Sequence, residues 1–176
     1  MTTTIDAADI PRLALSVRQP WAWAIISAGK DIENRAWRAP NPGLSFRGRV
    51  AIHAASGMTR AEYDEAREHI DTRCYTRPTP DPSALFLGGI IGVVEIVDIV
   101  RESDSPWFFG PRGLLLANAA PCYFKPARGA LGFFQWQEDA TYRANFDRPK
   151  WHSPKPRGLT ETIRRQQPLP MFDEGT

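Results

Sequence analysis

The sequence predicts an α+β fold, a small β-barrel of about five to six strands with two or more flanking helices. Three observations carry this. Several short segments alternate apolar and polar residues or are rich in β-branched residues. Only two segments in the body of the chain have helical spacing with matching start signals. Clusters of Pro, Gly and Asn separate the segments at short intervals.

Leu13–Val17 (LALSV) alternates and predicts the first strand. Pro20 suits the first turn of a helix, because its missing N–H costs nothing there. Trp21 with Ile25, and Ala22 with Ile26, then repeat at helical spacing. Gly29 fits a left-handed helix terminator. Ile32–Trp37 reads as a strand, APNPG (39–43) as a loop, and Arg47–Ala54 as another strand. Thr59 and Glu62 form a capping box that starts a surface helix through Ile70. TRPTPDPS (76–83) sustains no regular element. Gly89–Val100 (GIIGVVEIVDIV) is the strongest strand signal in the chain. An aromatic loop, SPWFFGPRG (105–113), follows, and Leu114–Asn118 and Ala130–Gln137 are the last expected strands.

This gives a loose arm at 1–12, a barrel domain at 13–138 and a basic, Pro-containing tail at 139–176, with a short helix near Leu159–Gln167. The 176 residues are enough for one domain with a real core. The net charge of +2 is mildly basic and does not by itself demand a nucleic-acid partner. Cys74 and Cys122 form no CxxC pair, so neither a disulfide framework nor a zinc site is expected, and a reducing cytoplasm is the default location. The start of the chain lacks a basic segment followed by an apolar one, and no apolar run approaches the roughly 20 residues of a membrane span. No P-loop, GxGxxG after a strand, HExxH or GxSxG is present. The common nucleotide-hydrolase, dehydrogenase, zinc-protease and serine-hydrolase readings therefore fall away, and no metal or cofactor is implied.

Recognition-capable side chains concentrate between Leu13 and Trp37. Glu33, Arg35 and Trp37 are two residues apart and would share one face of a strand. A carboxylate, a guanidinium and an indole on one face can read a base: the first accepts from an exocyclic amine, the second meets a phosphate or a carbonyl edge, and the third stacks. The competing reading is an internal Glu–Arg ion pair with Trp37 as barrel wall. Lys30, at the helix-to-strand corner, can meet a phosphate or, with Glu33, move a proton. Ser16, Arg18, Gln19 and Trp21 surround the start of the first helix, whose free N–H groups favour an anion. Ser16 or Gln19 could instead cap that helix, and Trp21 fits the core better than a stacking platform. His53 ends a strand with no second metal ligand nearby; it is a base-edge contact, a general base or a structural histidine. His69 and His152 have no supporting pattern. Asn118 is a base-edge contact or a turn cap. Trp107, Phe108 and Phe109 line a cleft or plug the barrel end. Lys125 and Arg128, then Arg148, Lys150, Lys155 and Arg157, could extend a basic rim.

LSVRQPWAWAI, GKDIENRAW and RGRVAIHA together resemble the ASCH domain family of the PUA-like superfamily. The run Lys30-Asp31-Ile32-Glu33-Asn34-Arg35 fits the family's Lys-x-x-Glu-x-Arg signature, and the resemblance spans Leu13–Gln137. It implies a PUA-like β-barrel with a cleft beside the first helix and RNA recognition, often of unpaired or modified nucleotides. Some relatives look like nucleases, and one branch hydrolyses acetylated cytidine with a Lys-x-x-Thr arrangement. Glu33 stands here in place of that Thr, which argues against a threonine nucleophile. The leading expectation is a binding module holding an unpaired nucleotide, RNA ahead of DNA, with Ser16, Arg18, Gln19, Lys30, Glu33, Arg35, Trp37, His53 and Asn118. In that reading Lys30→Ala and Glu33→Ala weaken binding and leave the fold intact. A metal-independent enzyme using Lys30 and Glu33, as a ribonuclease or nucleoside hydrolase, is the first alternative. A regulatory protein-interaction module is the second.

Overall fold

The computed structural model describes residues 4–73 and 77–142. Cys74, the expected helix at 159–167, His152 and the basic side chains of Arg148, Lys150, Lys155 and Arg157 lie outside them.

Strand β1 (Leu13–Val17) sends Leu15 and Val17 into the main core, while Ala14 points to the opposite face. The strand alternation read from the sequence is thus used to separate two apolar layers. Helix α1 (Trp21–Ser27) buries Ala22–Ile26, because it is sandwiched between the main core and a third cluster shared with the second helix. Pro20 stands just before the helix rather than within its first turn. Gly29 takes the left-handed conformation at φ 70°, and the Lys30 amide closes back onto Ala24 O at 3.1 Å. That closure reverses the chain and delivers Lys30 beneath α1.

Strand β2 (Ile32–Asn34) is shorter than expected. The Arg35 amide still reaches Arg112 O at 2.9 Å, but the partner strand begins only at Gly113, so Ala36 and Trp37 have no strand opposite them. Strand β3 (Gly48–Ala54) follows. Helix α2 (Arg60–Asp71) carries the expected capping box: Thr59 Oγ1 accepts from the Glu62 amide and Glu62 accepts from the Thr59 amide. Its buried stripe of Tyr63, Ala66 and Ile70 faces α1 and Trp107. Strand β4 (Gly89–Val100) is as expected.

Strand β5 (Gly113–Pro126) runs well past Asn118, where the sequence reading ended it. Asn118 has φ 52° and the β4–β5 register shifts at three places, so the strand bends and resumes instead of stopping. Strand β6 (Phe133–Gln135) is the short remnant of the expected 130–137 strand.

The strand order is β2-β5-β4-β3-β1-β6, with β1 and β3 parallel and the other neighbours antiparallel. The six-stranded sheet curls around Leu15, Val17, Ile52, Ile91, Val94 and Ile96 as a half-barrel, in a PUA-like α+β architecture. Its two edges, β2 and β6, meet at a seam. Arg35 Nη2 donates across it to Ser16 O at 2.8 Å, and the Trp37 and Phe133 rings pack with centroids 5.5 Å apart. Residues 4–12 lie on the outer face. The Ile5 amide bonds Pro121 O at 2.8 Å, Ile10 is buried beside Trp136, and Trp136 Nε1 donates to Pro11 O at 2.6 Å. Among the described residues no helix is long and apolar enough to cross a membrane.

Candidate functional site

The reversal at Gly29 and the pairing of β2 with β5 bring Lys30, Glu33 and Arg35 into one ionic chain. Lys30 Nζ donates to Ile32 O and, at 2.9 Å, to Glu33 Oε2. Glu33 Oε1 lies 3.1 Å from Arg35 Nη2. The side chains of Lys30 and Glu33 are 2% and 12% exposed and that of Arg35 is 19% exposed, so solvent screens little of this attraction. Two cations and one carboxylate leave the chain with one net positive charge. Arg35 Nε is buried with no partner among the described residues.

These groups form one wall of a cavity of about 600 Å³ at the seam of the half-barrel. The end of β1 contributes Ser16, Val17 and Arg18, and α1 contributes Trp21. The β2 edge adds Lys30, Glu33, Asn34 and Arg35. Ala55, Ser56 and Gly57 follow β3, Phe109 comes from the aromatic loop, and Leu131 and Gly132 precede β6. The volume falls within the usual range for a small-molecule site, roughly 300–1,000 Å³. Trp21 lies 5.8 Å from Lys30 Nζ and packs edge-on against Phe109 at 6.4 Å. It therefore serves both the core and the cavity wall. Arg18 is exposed and paired with Glu62, whose carboxyl is held below its usual range first by the Thr59 amide, then by the Thr59 hydroxyl and Arg18.

Five of the expected site residues, Ser16, Arg18, Lys30, Glu33 and Arg35, line this cavity; Gln19, Trp37, His53 and Asn118 do not. Gln19 is buried, its Oε1 accepting from the Trp23 amide at 3.0 Å and its Nε2 donating to Phe86 O at 2.9 Å. Arg18 O and Pro20 O accept the Ala22 and Ala24 amides. Three of the amides at the start of α1, those of Ala22, Trp23 and Ala24, are thus spent within the chain. Trp37 is barrel wall against Phe133, with the Arg35 guanidinium 5.4 Å from its ring. Asn118 Nδ2 donates to Glu95 Oε2 at 2.8 Å. Lys125 and Arg128 pair with Glu138 and Asp139 away from the cavity. Trp107 plugs the third apolar cluster, and Phe109 alone of the aromatic loop reaches the cavity.

His53 pairs with Ser16 in the β1–β3 register. Its Nε2 lies 3.0 Å from Ala127 O, which can only accept, so Nε2 carries the proton and Nδ1 accepts from the Ser16 hydroxyl at 3.2 Å. Burial lowers the His53 pKa, and burial followed by Arg73 lowers that of His69. The unfolded chain therefore takes up protons before the folded one as pH falls below about 6.5. Stability should be full above that pH and fall below it, by up to about 1.4 kcal/mol per pH unit for His53. Urea midpoints at about pH 7.5 and about pH 5.5 test this, and His53→Gln should flatten the difference. An unchanged pH dependence in that variant would show that His53 does not titrate as described.

Asn34, Ser56, Gly57 and Leu131 were not legible as site residues. The signal for Ser56 and Gly57 is the run of small residues after His53, which leaves open space only once β3 is paired.

A curled, mostly antiparallel half-barrel with a partly charged, largely apolar cavity beside its first helix defines a PUA-like domain. The ASCH domain model matches residues 15–152, and the chain belongs to the ASCH domain family. The match runs past Glu138 into the stretch read from the sequence as tail. No curated protein matches the chain.

Proposed function

We propose that this domain binds one unpaired nucleotide, of RNA in preference to DNA, in the seam cavity. The observation that carries the reading is the net-positive Lys30–Glu33–Arg35 chain in the wall of a cavity that also presents Trp21 and Phe109. A nucleotide has the complementary parts, a flat ring and an anionic phosphate. The ring stacks on an aromatic face, and the phosphate lies toward the cations. Each Glu33 oxygen keeps a lone pair for an exocyclic amine after pairing with its cation. Membership of the ASCH family supports a nucleic-acid partner. Glu33 holds both cations, and Lys30 donates to Glu33 and Ile32 O, which favours recognition over proton transfer. The adjoining cavity argues against a module in which the chain merely braces the barrel. Cys122 is a free, buried thiol whose pKa burial pushes up to about 12.

Fluorescence anisotropy with one labelled sequence, as single-stranded RNA, single-stranded DNA and duplex, tests this at fixed salt. Single-stranded RNA should bind best, and Lys30→Met should weaken it by about tenfold, equivalent to about 1.4 kcal/mol. Equal affinity of wild-type and Lys30→Met for every probe would refute the cavity as the site. Mass spectrometry of the same RNA after incubation should show unaltered ends and nucleosides. Product that disappears with Lys30→Met would replace the binding reading with an enzymatic one.

A further inference from the structure

We infer that Phe109 is the wall on which the bound base stacks, and that Asn34 is the residue that positions it. This rests on the nucleotide-binding reading and assigns a part of that site which Lys30, Glu33 and Arg35 do not supply.

Phe109 is 48% exposed and Leu131 fully so, and both of these large apolar side chains line the same cavity. Scattered apolar side chains at a surface are ordinary, but two at one cavity mouth mark surface that a ligand can cover. They come from opposite edges of the sheet. Phe109 is tied to β2, and Leu131 precedes β6, so the gap between them is the seam itself.

Phe109 is also held in place. Asn34 Oδ1 accepts from the Phe109 amide at 2.8 Å, and Asn34 Nδ2 donates to Trp107 O at 2.8 Å. One side-chain amide thereby grips the aromatic loop at two points. The Trp107 amide donates to Ser105 Oγ at 3.2 Å, and Gly110, at φ 64°, turns the chain directly after Phe109. The ring packs edge-on against His69 at 4.4 Å, and the Arg73 guanidinium lies 5.6 Å from its centroid. A ring fixed by its backbone and its neighbours loses little freedom when a base settles on it, which is what a stacking platform requires.

Asn34 sits between Glu33 and Arg35 in sequence. The strand that places the ionic chain on one side therefore grips the aromatic loop with the intervening residue. The charged and aromatic parts of the cavity are held at a fixed separation by β2. Every base offers a π face, so this wall selects for an unpaired base without selecting its identity.

The test compares a single-stranded RNA with a strand of equal length and charge made of abasic units, titrated into the full chain. Phe109→Ala should weaken the base-bearing strand by about tenfold, within the range expected for one stacked base, and leave the abasic strand unaffected. Phe109→Trp should restore the preference for bases, whereas Phe109→Leu, apolar but not flat, should not. Asn34→Ala should reproduce the loss of base preference without touching the ring. Thermal melts confirm that each variant is folded, and Phe109→Leu carries the test if Phe109→Ala is not. Wild-type base preference in the folded Phe109 variants, with Lys30→Met still impaired, would overturn this inference and leave the nucleotide-binding reading intact. Wild-type protein that binds neither strand would overturn both.

Discussion

Glu33→Ala is expected to destabilise the fold by about 3–5 kcal/mol, the usual consequence of removing one partner from a buried ion pair. Glu33 stands between Lys30 Nζ at 2.9 Å and Arg35 Nη2 at 3.1 Å, and Lys30 is almost wholly buried. Without the carboxylate, an ammonium and a guanidinium are left close together, with Ile32 O and Ser16 O as their remaining acceptors. Set against a typical total of about 5–15 kcal/mol, the loss is large. The sequence alone led to the opposite expectation for this substitution, an intact fold with weaker binding. Burial of the pair is what changes it. Urea unfolding should show the midpoint of Glu33→Ala far below that of wild-type with an unchanged slope. The double variant Lys30→Met/Glu33→Gln should recover much of the loss, because it removes the more deeply buried of the two orphaned charges and leaves a side-chain carbonyl at position 33 to accept from Arg35. A Glu33→Ala midpoint equal to wild-type would show that the trio contributes nothing to the fold.

Gly57→Trp is expected to leave the protein folded and to lower its affinity for single-stranded RNA by about a hundredfold or more, equivalent to about 2.8 kcal/mol. Gly57 lines the cavity, and a Cβ built on it meets no atom within 4 Å. Its backbone is not in the left-handed region, so a larger residue brings no torsional penalty. An indole there occupies space that the nucleotide would need. Gly57→Ala, which adds one methyl group to open space, should bind as wild-type does. The pair separates occlusion from any effect of losing glycine. Unchanged affinity in Gly57→Trp would place the ligand elsewhere.

The local rules were readable in the sequence because each depends on neighbours. Alternation gave β1, the left-handed Gly29 ended α1, Thr59 and Glu62 capped α2, and β-branched residues marked β4. The second half of β5 was not readable. Asn118 and Pro121 look like chain breakers, and only the bulged pairing with β4 shows that the strand continues through them. The end of β2 was hidden for a related reason, since it is set by where β5 begins. In the site, Lys30, Glu33 and Arg35 stood out because six consecutive residues hold them all. Gln19 as a cap for α1 was open as an alternative, being a contact of one helical turn. Asn34 with Phe109, and His53 with Ala127, join residues more than seventy positions apart, which no periodicity reveals.

The most direct measurement replaces one uridine of a single-stranded RNA with 4-thiouridine, cross-links it to the protein with long-wavelength light, and maps the adduct by peptide mass spectrometry. Adducts are expected on Trp21 or Phe109 and should be lost in Gly57→Trp. Adducts confined to the face bearing Lys125 and Arg128, or adducts on Trp21 and Phe109 that persist undiminished in Gly57→Trp, would contradict binding in the seam cavity.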